Sequence, residues 1–234
     1  MRKHLMVAAI AAALAQPAFA GMGDDPTLVK VMIDQLETRS GDGPDPAVLE
    51  SDVWIGKDLN KLWLKFDAER VDGETEQADI EARYSRAVAP FWDFQVGLRR
   101  DLKPSDETRD WLALGFRGLA PYFFDIDAAL YVGDNGRTQL NFDTEYEILF
   151  TQRLILTPEL QFNLNGKSDP VLGQGSGLSN MELGLRLRYE IRREFAPYVG
   201  VNWDSRFGET ADFAKAAGQD SSETRIVAGI RAWF

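Results

Sequence analysis

The feature that most constrains this chain is a strict alternation of apolar and polar residues. In Gly177–Phe207, GLSNMELGLRLRYEIRREFAPYVGVNWDSRF, one side carries Met181, Leu183, Leu185, Leu187, Tyr189 and Ile191. The other carries Asn180, Glu182, Gly184, Arg186, Arg188 and Glu190. A period of two held this long predicts a β-strand, because an amphipathic helix repeats at about 3.6 residues. At about 3.3 Å per residue, such a strand can cross a bilayer at a tilt. Arg192–Pro197 is expected to turn the chain, and Val199, Val201 and Trp203 then resume the alternation.

The same unit recurs along the chain. Strands are expected over 28–39, 48–56 and 61–71, the last setting Leu62, Leu64 and Phe66 against Lys61, Lys65, Asp67 and Glu69. Ile80, Ala82 and Tyr84 oppose Asp79, Glu81 and Arg83. Trp92, Phe94, Val96 and Leu98 oppose Asp93, Gln95 and Arg99. Tyr122–Leu130, Leu140–Ile148 and Leu154–Leu164 continue the pattern, and Glu223–Phe234 closes it with an aromatic last residue. This reads as all-β, about twelve antiparallel strands, with no helix. Short turns (56–60, near 90, 118–121, near 151, 192–197) alternate with longer polar loops (40–46, 103–108, 166–177, 207–221), so each kind gathers at one end. An even strand number with that loop asymmetry describes a transmembrane β-barrel of the bacterial outer membrane. An inside-out soluble barrel shares the period. Loop asymmetry, aromatics near strand ends (Trp92, Tyr122, Trp203) and the terminal Phe234 favour the membrane form. An alternative organisation has ten strands, with residues 28–56 as a periplasmic lead or plug.

Composition narrows the chemistry. Residues 1–20, MRKHLMVAAIAAALAQPAFA, combine a basic start, a short apolar run and an Ala-Phe-Ala end, which reads as a secretory signal peptide cleaved after Ala20. A short periplasmic lead, 21–27, and a barrel, 28–234, would follow. Loss of Arg2 and Lys3 takes the net charge from −11 to −13. So acidic a chain is unsuited to nucleic acid, and cations are its natural small partners. Mean hydropathy is −0.28, the average of an apolar and a polar face. There are no cysteines, and the one histidine, His4, lies in the signal. Thiolate metal sites and histidine-dependent nucleophilic catalysis are thereby excluded from the mature chain, and no enzymatic activity is expected.

The polar faces carry the other signal. Asp125 and Asp127, then Asp143, Glu145 and Glu147, stack on successive strands, with Arg99, Arg117, Arg186 and Arg188 facing the same lumen. Ion pairs would satisfy and stiffen such an interior. Surplus carboxylates would attract cations along it.

Several stretches resemble the copper resistance protein B family of outer-membrane proteins. They are WIGKDLNKLWLK (54–65), FWDFQVGLRRD (91–101), GLAPYFF (118–124), TQRLILTPEL (151–160), residues 177–200 and AGIRAWF (228–234). The resemblance implies an outer-membrane barrel in copper homeostasis and detoxification, in contact with outer-membrane lipid. It also implies copper ions as ligand and a periplasmic multicopper oxidase as partner. Family members often carry a Met- and His-rich N-terminal segment; here the lead is GMGDDPTLVKVM. If copper is bound, weakly or in transit, Met32 with Asp34 and Glu37 is the best cluster. Met32 and Asp34 share a face, while Glu37 has the opposite parity and needs the strand to bend. Met22 lies in the lead, and Met181 falls on the apolar face. Copper passage and a non-conducting barrel that docks periplasmic copper proteins both fit this reading.

Overall fold

The computed structural model describes residues 25–102 and 108–234. The expected signal peptide, its cleavage point, Met22 and most of the 21–27 lead lie outside the described residues, as does most of the 103–108 loop. The strands are β1 (Leu28–Ser40), β2 (Ala47–Lys57), β3 (Asn60–Val71), β4 (Glu74–Ala89), β5 (Trp92–Asp101), β6 (Arg109–Ala120) and β7 (Phe124–Gly133). They continue with β8 (Thr138–Glu145), β9 (Ile148–Leu149), β10 (Leu154–Asn165), β11 (Gly177–Tyr189), β12 (Phe195–Arg206) and β13 (Ser222–Trp233). Every pairing is antiparallel between chain neighbours, and β13 returns to β1.

β8 and β9 are one strand in two pieces. Both run along β10 in the same register, Glu145 facing Glu159 and Ile148 facing Leu156. The gap falls opposite Pro158, which accepts from the Tyr146 N–H at 3.1 Å but has no N–H to give back. Counted so, the sheet is a closed barrel of twelve strands. Residues 28–56 are β1 and β2 of that barrel, paired along their length, rather than a separate lead or plug.

Alternation places the faces as the sequence predicts. Leu62, Leu64, Phe66, Leu98, Phe116, Leu183, Leu185 and Val201 are exposed on the outer face. Their neighbours Glu81, Arg83, Gln95, Asp127 and Arg186 are buried inside. Outward charge is confined to strand ends, as in the exposed Arg100–Asp110 pair near the long loops.

Two local features depart from the expected pattern. The first is a bulge in β1: Ile33 faces Ser51 and Gln35 faces Glu50, so Asp34 has no partner across the strand. Asp34 and Gln35 both point inward, and the inward parity changes from even to odd, which turns Glu37 and Arg39 into the lumen. The second is α1 (Gly208–Ala216), a helix inside the stretch expected to be a polar loop. Glu209 lies in its first turn and Lys215 in its last, as the helix dipole favours. It ends with the left-handed Gly218, the Gly218 N–H donating to Lys215 O and the Gln219 N–H to Ala214 O. Thr210, Ala211 and Ala214 are its buried face, packed on β11 and β12.

The turn between β11 and β12 is also tighter than expected. Phe195–Pro197 already belong to β12, leaving residues 190–194 as the connection.

Candidate functional site: the charged lumen

The barrel encloses a cavity of about 820 Å³, lined by inward side chains of nearly every strand. Seventeen carboxylates line it against ten Lys and Arg residues, an excess of seven negative charges.

Three arginine-centred networks brace the wall. In the first, Arg83 is the hub, 2% exposed. It donates to Asp127 at 2.8 Å, Glu81 at 2.7 Å, Gln95 at 3.1 Å and the Tyr131 hydroxyl at 2.6 Å. Lys65 donates to the other Asp127 oxygen at 2.6 Å. Arg117 reaches Asp52 at 3.1 Å while lying 4.4 Å from the Trp63 ring centroid, a cation–π contact.

The second network joins strands far apart in sequence. Arg186 grips both oxygens of Glu37, at 3.0 and 2.9 Å, and donates to Gln35 at 2.9 Å and Glu159 at 2.6 Å. Tyr198 and Arg39 complete the shell of Glu37 at 2.9 and 2.8 Å. Bidentate, charge-assisted bonds of this kind are the strong ones. The sequence makes room for them with glycine: a Cβ on Gly184 would lie 2.1 Å from Arg186 Nη1, and one on Gly229 would lie 2.6 Å from Glu37 Cβ. Gly184→Val is therefore expected to push the guanidinium off Glu159 and lower stability by about 1–3 kcal/mol, read as the urea midpoint in lipid vesicles.

In the third network Arg231 bridges Asp34 at 3.1 Å and Glu145 at 3.2 Å, while Arg188 bonds Thr157 and the half-exposed Glu147.

The sequence-predicted site residues thus divide. Asp127, Glu145, Glu147, Arg186 and Arg188 are held in ion pairs. Asp125 and Asp143 line the cavity without one among the described residues, as do Glu50, Asp67, Glu69 and Asp204. Met32 and Asp34 line the cavity together, but Asp34 is taken by Arg231 and Glu37 by Arg186, in two separate networks. Among the described residues no three carboxylates converge as a metal cage. Met181 pairs across from Phe162 on the outer face, away from the lumen.

The register places like charges side by side. Glu50 faces Asp67, Asp67 faces Asp79, and Asp79 faces Asp101 on four adjacent strands. Across the barrel Asp127 faces Asp143, Glu182 faces Asp204, and Asp204 faces Glu223. Directly opposed like charges destabilise a sheet. Arg99 relieves one junction by bonding Asp79 and Asp101 at 3.4 and 2.9 Å. Both rows start near mid-strand and end beside the long loops, because tilted strands carry a hydrogen-bonded row obliquely around a barrel. The rows were missed because residues 12 to 22 apart in sequence become neighbours only once the register is known.

At the long-loop end the cavity is partly roofed. Thr210, Phe213 and Ala214 of α1 line it, together with Leu172–Gln174 of the preceding loop. The Gly175 N–H donates to the Thr210 hydroxyl at 2.8 Å, and the Thr210 and Ser179 hydroxyls are 3.0 Å apart. Asp169 ties the same loop to Arg109 and Arg137 at 2.8 and 3.4 Å.

Comparison with known proteins gives this interior a family. A family model described as copper resistance protein B precursor (CopB) matches residues 27–234. The chain belongs to the copper resistance protein B family. Two relatives agree. Copper resistance protein B of Escherichia coli is 43% identical over 204 residues, covering 87% of this chain and 69% of the relative. A copper resistance protein B homolog of Pseudomonas syringae pv. tomato is 41% identical over 201 residues, covering 86% and 68%. Among solved structures the NanC porin superposes with a TM-score of 0.59 at 14% identity, and the KdgM porin with 0.55 at 13%. Each alignment covers 88% of this chain and 99% of the porin. At such identity the likeness is one of fold: this copper resistance protein B family member shares the closed barrel of those porins.

Proposed function

We propose that this barrel stands in the bacterial outer membrane and serves copper resistance by letting copper ions pass through, or be handed along, its acidic lumen. The apolar outer face, charged only at strand ends, suits contact with lipid. The observation that carries the lumen proposal is the pair of opposed carboxylate rows. Their mutual repulsion is a standing cost unless a mobile cation shares the space, and rings of carboxylates select cations in pores. Since no three carboxylates among the described residues close into a cage, the path attracts an ion without trapping it. Copper is cargo here. The oxygen-rich lining suits Cu(II) better than Cu(I), and Met32 is the thioether that lines the cavity for the softer ion.

The test is reconstitution in planar bilayers together with copper binding to the refolded protein. The expected result is a cation-selective conductance that carries Cu²⁺, and a deletion strain with greater copper sensitivity. Met32→Leu is expected to weaken Cu(I) binding and leave Cu(II) uptake unchanged. Unaltered copper tolerance on deletion would overturn the role in resistance.

The roof formed by α1 and the 166–176 loop favours a second reading. In it the barrel is closed and docks a periplasmic copper-handling protein such as a multicopper oxidase. Absence of conductance for every cation tried, with copper sensitivity still caused by deletion, would select that reading.

A further inference from the structure

The arginines that find no partner within the chain share one end of the barrel. Among the described residues Arg86, Arg153, Arg192 and Arg193 bond no carboxylate, amide or backbone carbonyl through their side chains, and all four lie at the short-turn end. Every other described arginine makes such a bond, in the lumen or beside the long loops. In a chain with 37 acidic residues against 26 basic ones, an arginine is seldom short of a carboxylate.

Three of the four are gathered at one place. The connection from β9 to β10 (150–153) and that from β11 to β12 (190–194) stand side by side, tied by the Glu190 N–H donating to Arg153 O at 2.8 Å. Between them is a cleft of about 190 Å³ lined by Gln152, Arg153, Glu190, Ile191, Arg192 and Arg193, three cations against one carboxylate. One wall is apolar. Ile191 is 54% exposed and continues the outward row of β11 that runs through Leu187 and Tyr189, and the exposed Phe150 stands on the neighbouring turn.

We propose that this cleft holds the phosphate of an anionic phospholipid, the arginines taking the headgroup and the apolar wall the start of its acyl chains. This rests on the membrane reading above and adds a specific ligand to it. Guanidinium groups match phosphate oxygens two bonds at a time. The volume is below the ~300 Å³ at which pockets for whole small molecules begin, so the cleft takes a headgroup rather than an entire metabolite. A free phosphate or an acidic protein segment would use the arginines and leave the apolar wall without a role, whereas an amphiphile meets both. The surplus of cations in the lining favours an anionic over a zwitterionic headgroup.

The test is native mass spectrometry of the refolded protein in detergent, titrated with phosphatidylglycerol, with phosphatidylcholine or with inorganic phosphate. The expected result is one phosphatidylglycerol retained per barrel, about tenfold more tightly than phosphatidylcholine and not displaced by inorganic phosphate. Arg192→Gln is expected to lower that affinity about tenfold, the loss of one charge-assisted hydrogen bond. Arg86→Gln, the same change of charge on the same rim, should leave it unchanged. Both side chains are exposed, so neither substitution tests folding. Equal retention of the two lipids, or equal loss in the two variants, overturns the site. Displacement by inorganic phosphate would give the cleft to a soluble anion, and Arg192-dependent binding of poly-glutamate in place of lipid would give it to an acidic protein segment; either result overturns the lipid proposal. Flotation with phosphatidylcholine vesicles reads the membrane separately. A barrel that floats but shows no lipid preference loses only the cleft's ligand, whereas one that does not float loses the membrane reading and this proposal with it.

Discussion

Replacing Arg186 with methionine is expected to cost about 3–5 kcal/mol of unfolding free energy, the range for breaking a buried ion pair from one side. The guanidinium, 5% exposed, makes four hydrogen bonds to Glu37, Gln35 and Glu159. Without it Glu37, 3% exposed, keeps Arg39 and Tyr198 but loses its bidentate partner. Glu159 keeps Gln35 and no cation among the described residues. Methionine preserves much of the volume, so the loss reports charge rather than a void. Urea unfolding in lipid vesicles gives the magnitude. Adding Glu159→Gln to Arg186→Met should recover part of it, since the carboxylate left without a cation is then neutral. A single-mutant loss below about 1 kcal/mol would mean that the network is wet enough to behave like a surface pair.

The second large effect is on selectivity, with folding left intact. Glu50→Gln, Asp67→Asn and Asp143→Asn together should lower the cation-over-anion permeability ratio about tenfold, the lower end of what a focused charged cleft does to local ion concentration. These three carboxylates line the cavity and hold no arginine or lysine in place among the described residues. Glu50 and Asp67 face one another, so removing their charge relieves a repulsion of about 0.2–1 kcal/mol and should raise the unfolding midpoint slightly. Reversal potentials across a salt gradient give the ratio. An unchanged ratio in a conducting, folded protein would place the selecting charges elsewhere in the lumen.

The contrast between these two substitutions shows what was legible in the sequence. Alternation located the strands, their faces and the acidic lumen, because a period of two needs no knowledge of partners. Asp143 and Arg186 were both placed in the lumen on that basis alone. Their roles were not legible. Arg186 and Glu37 are 149 residues apart and meet only because β13 returns to β1 and brings β1 near β11. The parity of Glu37 excluded it from the lumen without a bend, and nothing in MIDQLE marks which residue bulges. α1 was hidden for a different reason. Two turns of helix are marginal alone, and its small buried face of Thr210, Ala211 and Ala214 has meaning only against β11 and β12. The left-handed aromatics Phe91, Tyr122 and Phe123 contradict ordinary turn chemistry, so residue preference would have placed Gly or Asn there.

The bulge at Asp34 has a bearing on how β1 tolerates changes in length. In a regular strand, losing one residue turns every side chain beyond it to the opposite face. Here the extra residue has already made that half-turn, so excision of Asp34 alone would leave Met32, Gln35, Glu37 and Arg39 in strict alternation, all inward. The same excision at Leu64 in β3 would send Lys65, Asp67 and Glu69, or the residues before them, into the apolar outer surface. Asp34 is thus a supernumerary residue that supplies Arg231 with a carboxylate while occupying no place in the ladder.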